Sequence, residues 1–128
     1  VLPACNFTAP ELASVGLTEK EAVAQGYTVK TGRFMFAGNG RAHSIGSTDG
    51  MVKIIGDEAT DEILGVHILG PEAGELIATA ALAMSMEATV EEIVNTIHTH
   101  PTLAEAMLEA AEDYFGMGIH TKPAPKKK

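Results

Sequence analysis

Two runs decide the fold: Gly50-Met51-Val52-Lys53-Ile54-Ile55-Gly56 and Glu62-Ile63-Leu64-Gly65-Val66-His67-Ile68-Leu69-Gly70. Both are short, apolar and rich in β-branched residues. The polar stretch Asp57-Glu58-Ala59-Thr60-Asp61 lies between them. That pattern reads as a hairpin. Pro71 and Glu72 then start a helix through about Met86, with Leu76, Ile77, Ala80, Ala81 and Met84 on one stripe. Upstream, residues 4–8 and 12–15 read as short strands. Thr18 opens a helix through about Gln25, and Gly26 takes the position that ends it. Residues 27–36 alternate in part and read as a longer strand. Residues 38–47 form a Gly-rich connection with room for one helical turn at residues 40–45. Downstream, Thr89 starts a short helix through about Ile97, and Thr102 starts the last one, through about Phe115, closed by Gly116 and Gly118. Strand runs followed by helix runs predict an α+β fold, an antiparallel β-sheet with helices packed mainly on one face. Residues 1–119 read as one domain, and the polar, Pro- and Lys-rich residues 120–128 as a disordered tail.

Composition narrows the partners. Nine Lys and Arg stand against 17 Asp and Glu, a net charge of −8. A phosphate backbone needs a basic face, so nucleic acid is not an expected partner. No apolar run reaches the roughly 18–20 residues that cross a bilayer, so no membrane span is expected. The single cysteine, Cys5, allows no intrachain disulfide and reads most simply as a small buried residue. Few cysteines fit a reducing compartment. His67 reads as structural, His43 and His120 as loop or tail residues, and Met84, Met86, Met107 and Met117 as core or interface filler.

The helix at residues 73–86 is rich in small residues: Ala73, Gly74, Ala78, Ala80, Ala81 and Ala83. Small side chains permit close approach, equally within one domain or between subunits.

The chemistry concentrates in His98-Thr99-His100-Pro101-Thr102-Leu103-Ala104-Glu105. Pro101 fixes its own φ and steers His100 away from the α region. Thr102 reads as an N-cap with Glu105 as the third helical residue, the Thr-x-x-Glu capping box. An apolar stripe follows at Leu103, Met107, Leu108, Ala111, Tyr114 and Phe115. An imidazole ordinarily titrates near pH 6.5, and a carboxylate on one ring nitrogen fixes its tautomer. His100 is therefore a candidate general base and Glu105 its orienter, with Pro101 and Thr102 as positioning residues. Spacing alone leaves another reading open, in which Glu105 only caps the helix; Thr18-Glu19-Lys20-Glu21 and Thr89-Val90-Glu91-Glu92 show the same box. Two histidines without a third ligand are a weak metal signal, and no metal site is expected.

The segment His100-Pro101-Thr102-Leu103-Ala104-Glu105 resembles the His-Pro-Thr-x-x-Glu segment of the pyridine nucleotide-disulfide oxidoreductases. With His98 and Thr99 in front, the His-x-His-Pro-Thr-Leu form is most similar to the dihydrolipoamide dehydrogenase branch. Residues 7–19, 48–55 and 63–71 resemble further segments of the family, in family order across residues 4–116. Many relatives carry a histidine where this chain has Ala9. The resemblance implies the family's C-terminal interface domain, with His100 acting as base and Glu105 orienting it. It also implies FAD and NAD in the whole enzyme, neither bound by this chain alone. Implied partners are a second copy of the chain, its own FAD and NAD domains, and dihydrolipoamide on a lipoyl domain of a 2-oxoacid dehydrogenase complex. The implied compartment is the cytoplasm, or the mitochondrial matrix in a eukaryote. The Gly-x-Gly-x-x-Gly fingerprint and the Cys-x4-Cys disulfide are missing here, and the sequence opens on Val1. The expectation is an interface domain cut from the rest of its enzyme, inactive by itself. The alternatives are the same domain of a glutathione-type NADPH reductase, or a non-catalytic dimerisation module.

Overall fold

The structure, a computed structural model, describes residues 1–118. Five strands form one antiparallel sheet in the order β1-β2-β5-β4-β3. They are β1 (Ala4–Asn6), β2 (Glu11–Gly16), β3 (Val29–Met35), β4 (Met51–Asp57) and β5 (Ile63–Gly70). The hairpin of β4 and β5 lies inside the sheet, flanked by β3 and β2. Its place explains its composition: strands with neighbours on both edges and cover on both faces read as nearly continuous apolar runs.

The register fixes the two faces. Ala13, Ile68, Val52 and Phe34 fall in one cross-strand row, and Val15, Val66, Ile54 and Gly32 in the next. Apart from Gly32, which has none, these residues bury their side chains in the main core. Each large apolar side chain so buried stabilises the fold by about 1.5–3 kcal/mol. Three helices cover this face: α3 (Ala73–Ser85), α4 (Val90–Asn95) and α5 (Glu105–Tyr114). A small helix, α1 (Glu19–Ala24), covers part of the opposite face, where Ala22, Ile55 and Leu64 make a second cluster. The expectation of an antiparallel sheet with helices mainly on one face is met. The remaining helical turn, α2 (Gly40–Ser44), lies where the sequence has room for it.

Several boundaries moved for identifiable reasons. The strand read over residues 27–36 begins at Val29. The Tyr27 N–H instead bonds the Ala22 carbonyl, closing α1 over Gly26, whose φ is +94°. The first strand stops at Asn6 because Thr8 Oγ1 donates to the Pro10 carbonyl in a turn; the Ala9–Pro10 peptide is cis. The short helix at Thr89 ends at Asn95, leaving Ile97 outside it and 98% exposed.

On α5 the buried positions are Ala106, Met107, Ala110, Ala111 and Tyr114, so the stripe is shifted from Leu108 toward alanines. The reason is the strand beneath. A side chain at Gly32 would meet the Ala110 carbonyl, so the two backbones touch. Asp113 accepts from the Arg33 N–H at 2.8 Å, and the Tyr114 hydroxyl reaches Asp61 Oδ1 at 3.1 Å. These contacts pin the C-terminal half of α5 onto β3 and the β4–β5 turn. Of the methionines read as filler, Met107 is buried, whereas Met86 and Met117 are exposed. The read tail at residues 120–128, with His120, lies outside the described residues.

Candidate active site

The loop between α4 and α5 delivers His100 to the surface. Thr96 ends α4 in an extended conformation, and its hydroxyl donates to the Glu92 carbonyl at 2.7 Å. The His98 Nδ1–H donates to the Thr96 carbonyl at 2.8 Å. Thr102 Oγ1 donates to the Thr99 carbonyl at 2.8 Å, and the His100–Pro101 peptide is cis.

Glu105 is the hinge of the site. Its Oε1 accepts from His100 Nδ1 at 2.8 Å, and its Oε2 accepts from the Thr102 N–H at 2.8 Å. The two readings of this carboxylate, helix cap and imidazole orienter, are therefore held by different oxygens of one group. The capping box is only half made. The Thr102 hydroxyl is spent on Thr99 and does not return the bond, so Leu103 and Ala104 form a turn. Their carbonyls accept from the Ala106 and Met107 N–H groups, and the helix proper begins at Glu105 instead of just after Thr102. Thr102 thus engages Glu105 through its backbone N–H and is not the N-cap of α5.

The geometry decides the tautomer. A carboxylate only accepts at neutral pH, so the proton of a neutral His100 sits on Nδ1 and Nε2 keeps its lone pair. The His100 side chain is 78% exposed and Glu105 only 22%. The nitrogen left with a lone pair thus belongs to an exposed side chain while its carboxylate partner is shielded. Burial pushes the Glu105 carboxyl up, but the Thr102 N–H, the bond from His100 and the charges of His100 and His98 outweigh it, and the net direction is down. The carboxylate stays charged at neutral pH, and protonating His100 turns the hydrogen bond into an ion pair.

The lowered carboxyl makes a testable pH effect. A folded-state value below the unfolded one adds stability above the unfolded value, and loses it as pH falls below about 4.5. Glu105→Gln is expected to melt lower than the parent chain at pH 7, by about 1 kcal/mol. The two melting curves should converge as the pH falls below 4.5. A gap that stays constant down to pH 3 in thermal denaturation would remove this account.

Sequence reading missed the residue that anchors the loop. Asn39 is buried at 4% exposure, and its Nδ2 donates to the Thr102 carbonyl at 3.0 Å. Its Oδ1 accepts from the Ala42 N–H at 2.9 Å, capping α2. The Asn-Gly pair ahead of a helical turn signals the cap, but nothing local signals the partner 63 residues away. The same side chain thus joins the N-terminus of α2 to the loop that carries His100.

Other candidates are structural. His67 donates from Nε2 to the Leu17 carbonyl at 2.9 Å. His43 lies in α2, not a loop, and bonds the Ala37 carbonyl at 2.6 Å. Cys5 is half-buried on β1; burial and the Glu11 and Glu75 carboxylates push its thiol up, away from the reactive anion. Among the described residues, no three His, Cys, Asp or Glu side chains gather to hold a metal. No described helix is long and apolar enough to cross a membrane.

Beside the pair runs an apolar groove. A cavity of about 300 Å³ is lined by Leu76, Thr79, Ile97, His98, Thr99 and Met107. It adjoins a second cavity between α3 and α4, lined in part by Leu82, Met86 and His98. Leu82 is 61% and Met86 72% exposed on its rim.

Residues 2–111 match the family described as pyridine nucleotide-disulphide oxidoreductase, dimerisation domain. The dihydrolipoyl dehydrogenase of Thermus scotoductus is 51% identical over 119 residues, covering 93% of this chain and 26% of that protein. That of Bacillus subtilis is 50% identical over 120 residues, 94% of this chain and 25% of the relative. Among solved structures, LpdA from Mycobacterium tuberculosis superimposes with a TM-score of 0.81 at 32% identity, over 87% of this chain and 24% of that one. The HOCl-induced flavoprotein disulfide reductase RclA from Escherichia coli gives 0.83 at 27% identity, over 87% and 26%. The chain spans about a quarter of the length of the relatives it matches.

Proposed function

Since the chain belongs to the pyridine nucleotide-disulphide oxidoreductase family as its dimerisation domain, we propose that it is the interface domain of a dihydrolipoamide dehydrogenase. It pairs two copies and presents His100 to the disulfide site of the partner subunit. The observation that carries this reading is the division of labour on Glu105, which ties itself to the Thr102 N–H with one oxygen and orients His100 with the other.

The reaction asks for a proton acceptor. A free thiol has a pKa of about 8.5, and only its anion attacks a disulfide efficiently. His100 Nε2 takes the proton from one thiol of dihydrolipoamide. The resulting sulfur anion attacks one sulfur of the enzyme's disulfide, forming a mixed disulfide and releasing the other sulfur as a thiolate. The second substrate thiol then attacks the first sulfur and closes the lipoamide ring, its proton passing to the departing enzyme sulfur, which gives the oxidised product and a reduced enzyme with one thiol and one thiolate beside the imidazolium. The imidazolium formed on His100 is held beside the Glu105 carboxylate, which stabilises it. In the whole enzyme, FAD and NAD would carry the electrons onward.

The α3–α4 groove is the seat for the second copy. Its rim exposes Leu82, Met86 and Ile97, its wall includes His98 and Thr99, and His100 follows directly in the loop. A subunit seated there would place its own site within reach of this imidazole. Of the small residues of α3, Ala73 and Ala80 are buried in this domain's own core with Ala81 and Ala83 packed against it, and Ala78 is exposed. The names carried by the relatives, at 45–51% identity, favour dihydrolipoamide over a glutathione-type substrate.

The first test is the intact mass of the native polypeptide containing this sequence, with its visible spectrum. A yellow protein about four times longer than this chain is expected, by the share of the relatives it spans. A colourless polypeptide of 13.4 kDa would overturn the reading.

A further inference from the structure

Among the described residues, tyrosine aside, Asn39 is the one polar residue buried in the fold. Its frame is fixed. Phe36 and Ala42 on either side are fully buried, the Asn39 N–H donates to the Phe36 carbonyl at 2.9 Å, and the Asn39 carbonyl accepts from the His43 N–H at 3.2 Å. The amide has one possible orientation. Its Oδ1 accepts from the Ala42 N–H, which the amide nitrogen could not do, so Nδ2 faces the Thr102 carbonyl. The other hydrogen bonds of residues 96–104 all run within the segment from α4 to α5. The Asn39 amide therefore ties the His100 loop to the rest of the fold. It also takes the carbonyl that a regular helix would use. An α-helical Ala106 N–H would bond the carbonyl four residues back, that of Thr102. Here it bonds Leu103 instead, at 3.0 Å, and α5 begins late.

We propose that Asn39 is a positioning residue for the thiol reaction, a role that rests on the reading of His100 as the base. Three hydrogen bonds in series carry the effect. Asn39 Nδ2 holds the Thr102 carbonyl at 3.0 Å, the Thr102 N–H holds Glu105 Oε2 at 2.8 Å, and Glu105 Oε1 holds His100 Nδ1 at 2.8 Å. Asn39 touches neither the imidazole nor the thiol; it sets the direction from which Glu105 meets the ring. Without it, the Thr102 carbonyl is free to take the Ala106 N–H. The helix α5 then winds back toward Thr102, and the backbone that carries His100 turns with it. The His100 side chain is 78% exposed, so little packing opposes that turn. Proton transfer needs hydrogen-bond reach, and a displacement of about 1 Å is enough to weaken it. The second duty of Asn39, capping α2, is separable because it uses the other end of the amide.

Two substitutions make the separation. Asn39→Asp and Asn39→Ser both keep an oxygen for the Ala42 N–H, and both residues are good N-caps. Neither has the amide nitrogen that reaches Thr102. Each is made in the longer flavoprotein, alone and together with His100→Gln, and assayed where circular dichroism shows a folded enzyme. Dihydrolipoamide turnover is expected to fall about tenfold in each single variant, the cost of a misplaced reacting group. Reduction of an artificial acceptor by NADH, which bypasses the thiol, should stay within about twofold of the parent. The defect should shrink as pH rises toward the thiol's value of about 8.5, where solvent supplies the anion. In the His100→Gln background either change should alter turnover by less than about twofold, because the group it positions is gone. Parent-level turnover in the folded variants would overturn the proposed role. So would an equal fall of both activities, a defect that keeps its size at high pH, or a full second loss multiplied onto that of His100→Gln. If neither variant folds, Asn39 belongs to the framework alone and the role is likewise overturned. His100→Gln by itself tells the two readings apart. Collapsed turnover there beside normal Asn39 variants removes only the role of Asn39, whereas normal turnover there removes the base and that role with it.

Discussion

In the longer flavoprotein, His100→Gln is expected to lower dihydrolipoamide turnover by about 100-fold or more, the usual contribution of a positioned general base. Glutamine matches much of the imidazole's reach and keeps a donor for Glu105, so the fold of the loop is retained. What disappears is the outward-facing lone pair on Nε2. The substrate thiol then has to ionise into water, and at neutral pH only a few per cent of it is thiolate. Flavin-linked reduction of an artificial acceptor by NADH bypasses the thiol step, and it should change far less. The ratio of the two activities is the measurement. A parallel fall in both would mean that His100 supports the cofactor site or the dimer, and it would remove the base from this histidine. The rate defect should also shrink as pH rises toward the thiol's own pKa, because the solvent then supplies the anion. A purely structural His100 would show no such pH dependence.

This pair was legible in the sequence because everything it needs lies within six positions of the chain. Histidine, proline and a carboxylate at fixed spacing fold locally, and Glu105 reaches back to His100 and Thr102 across a single turn. The hairpin of β4 and β5 was legible for the same reason. The supports of the site were not. Asn39 holds the Thr102 carbonyl from 63 residues away, and Glu11 accepts from the Gly74 N–H, also 63 residues away, at the start of α3. A hydrogen bond between distant residues leaves no periodicity to read. The half-made capping box at Thr102 shows the same limit from the other direction. The pattern was present, but the hydroxyl found a better-placed acceptor in the Thr99 carbonyl. The shift of the α5 stripe toward alanines is a third instance. Hydrophobicity would place Leu108 inward, yet the choice belongs to the strand beneath, where Gly32 leaves no room for more than a small side chain.

That contact yields the largest expected stability effect. Gly32→Ala would put a Cβ 2.0 Å from the Ala110 carbonyl oxygen and 2.6 Å from the Tyr114 nitrogen. Both are backbone atoms within one helix, so no side chain can rotate away; α5 or β3 has to move as a unit. Overpacking of this kind costs about 3 kcal/mol, which corresponds to a melting temperature lower by roughly 10 °C or more in a domain of this size. Gly40→Ala is the control. It starts α2, has nothing within 4 Å of the added atom, and should be neutral or slightly stabilising. The effect should not stop at stability. Glu105 begins the same helix, and a shift of α5 against the sheet moves its carboxylate relative to His100, which is held by the separate loop from Thr96. In the longer enzyme, Gly32→Ala should therefore lower dihydrolipoamide turnover even at temperatures where the variant is fully folded. The artificial-acceptor activity should stay near normal there. A melting temperature within 2 °C of the parent would show that α5 is not seated by this close approach; normal dihydrolipoamide turnover in a destabilised variant would show that the His100–Glu105 pair tolerates its movement.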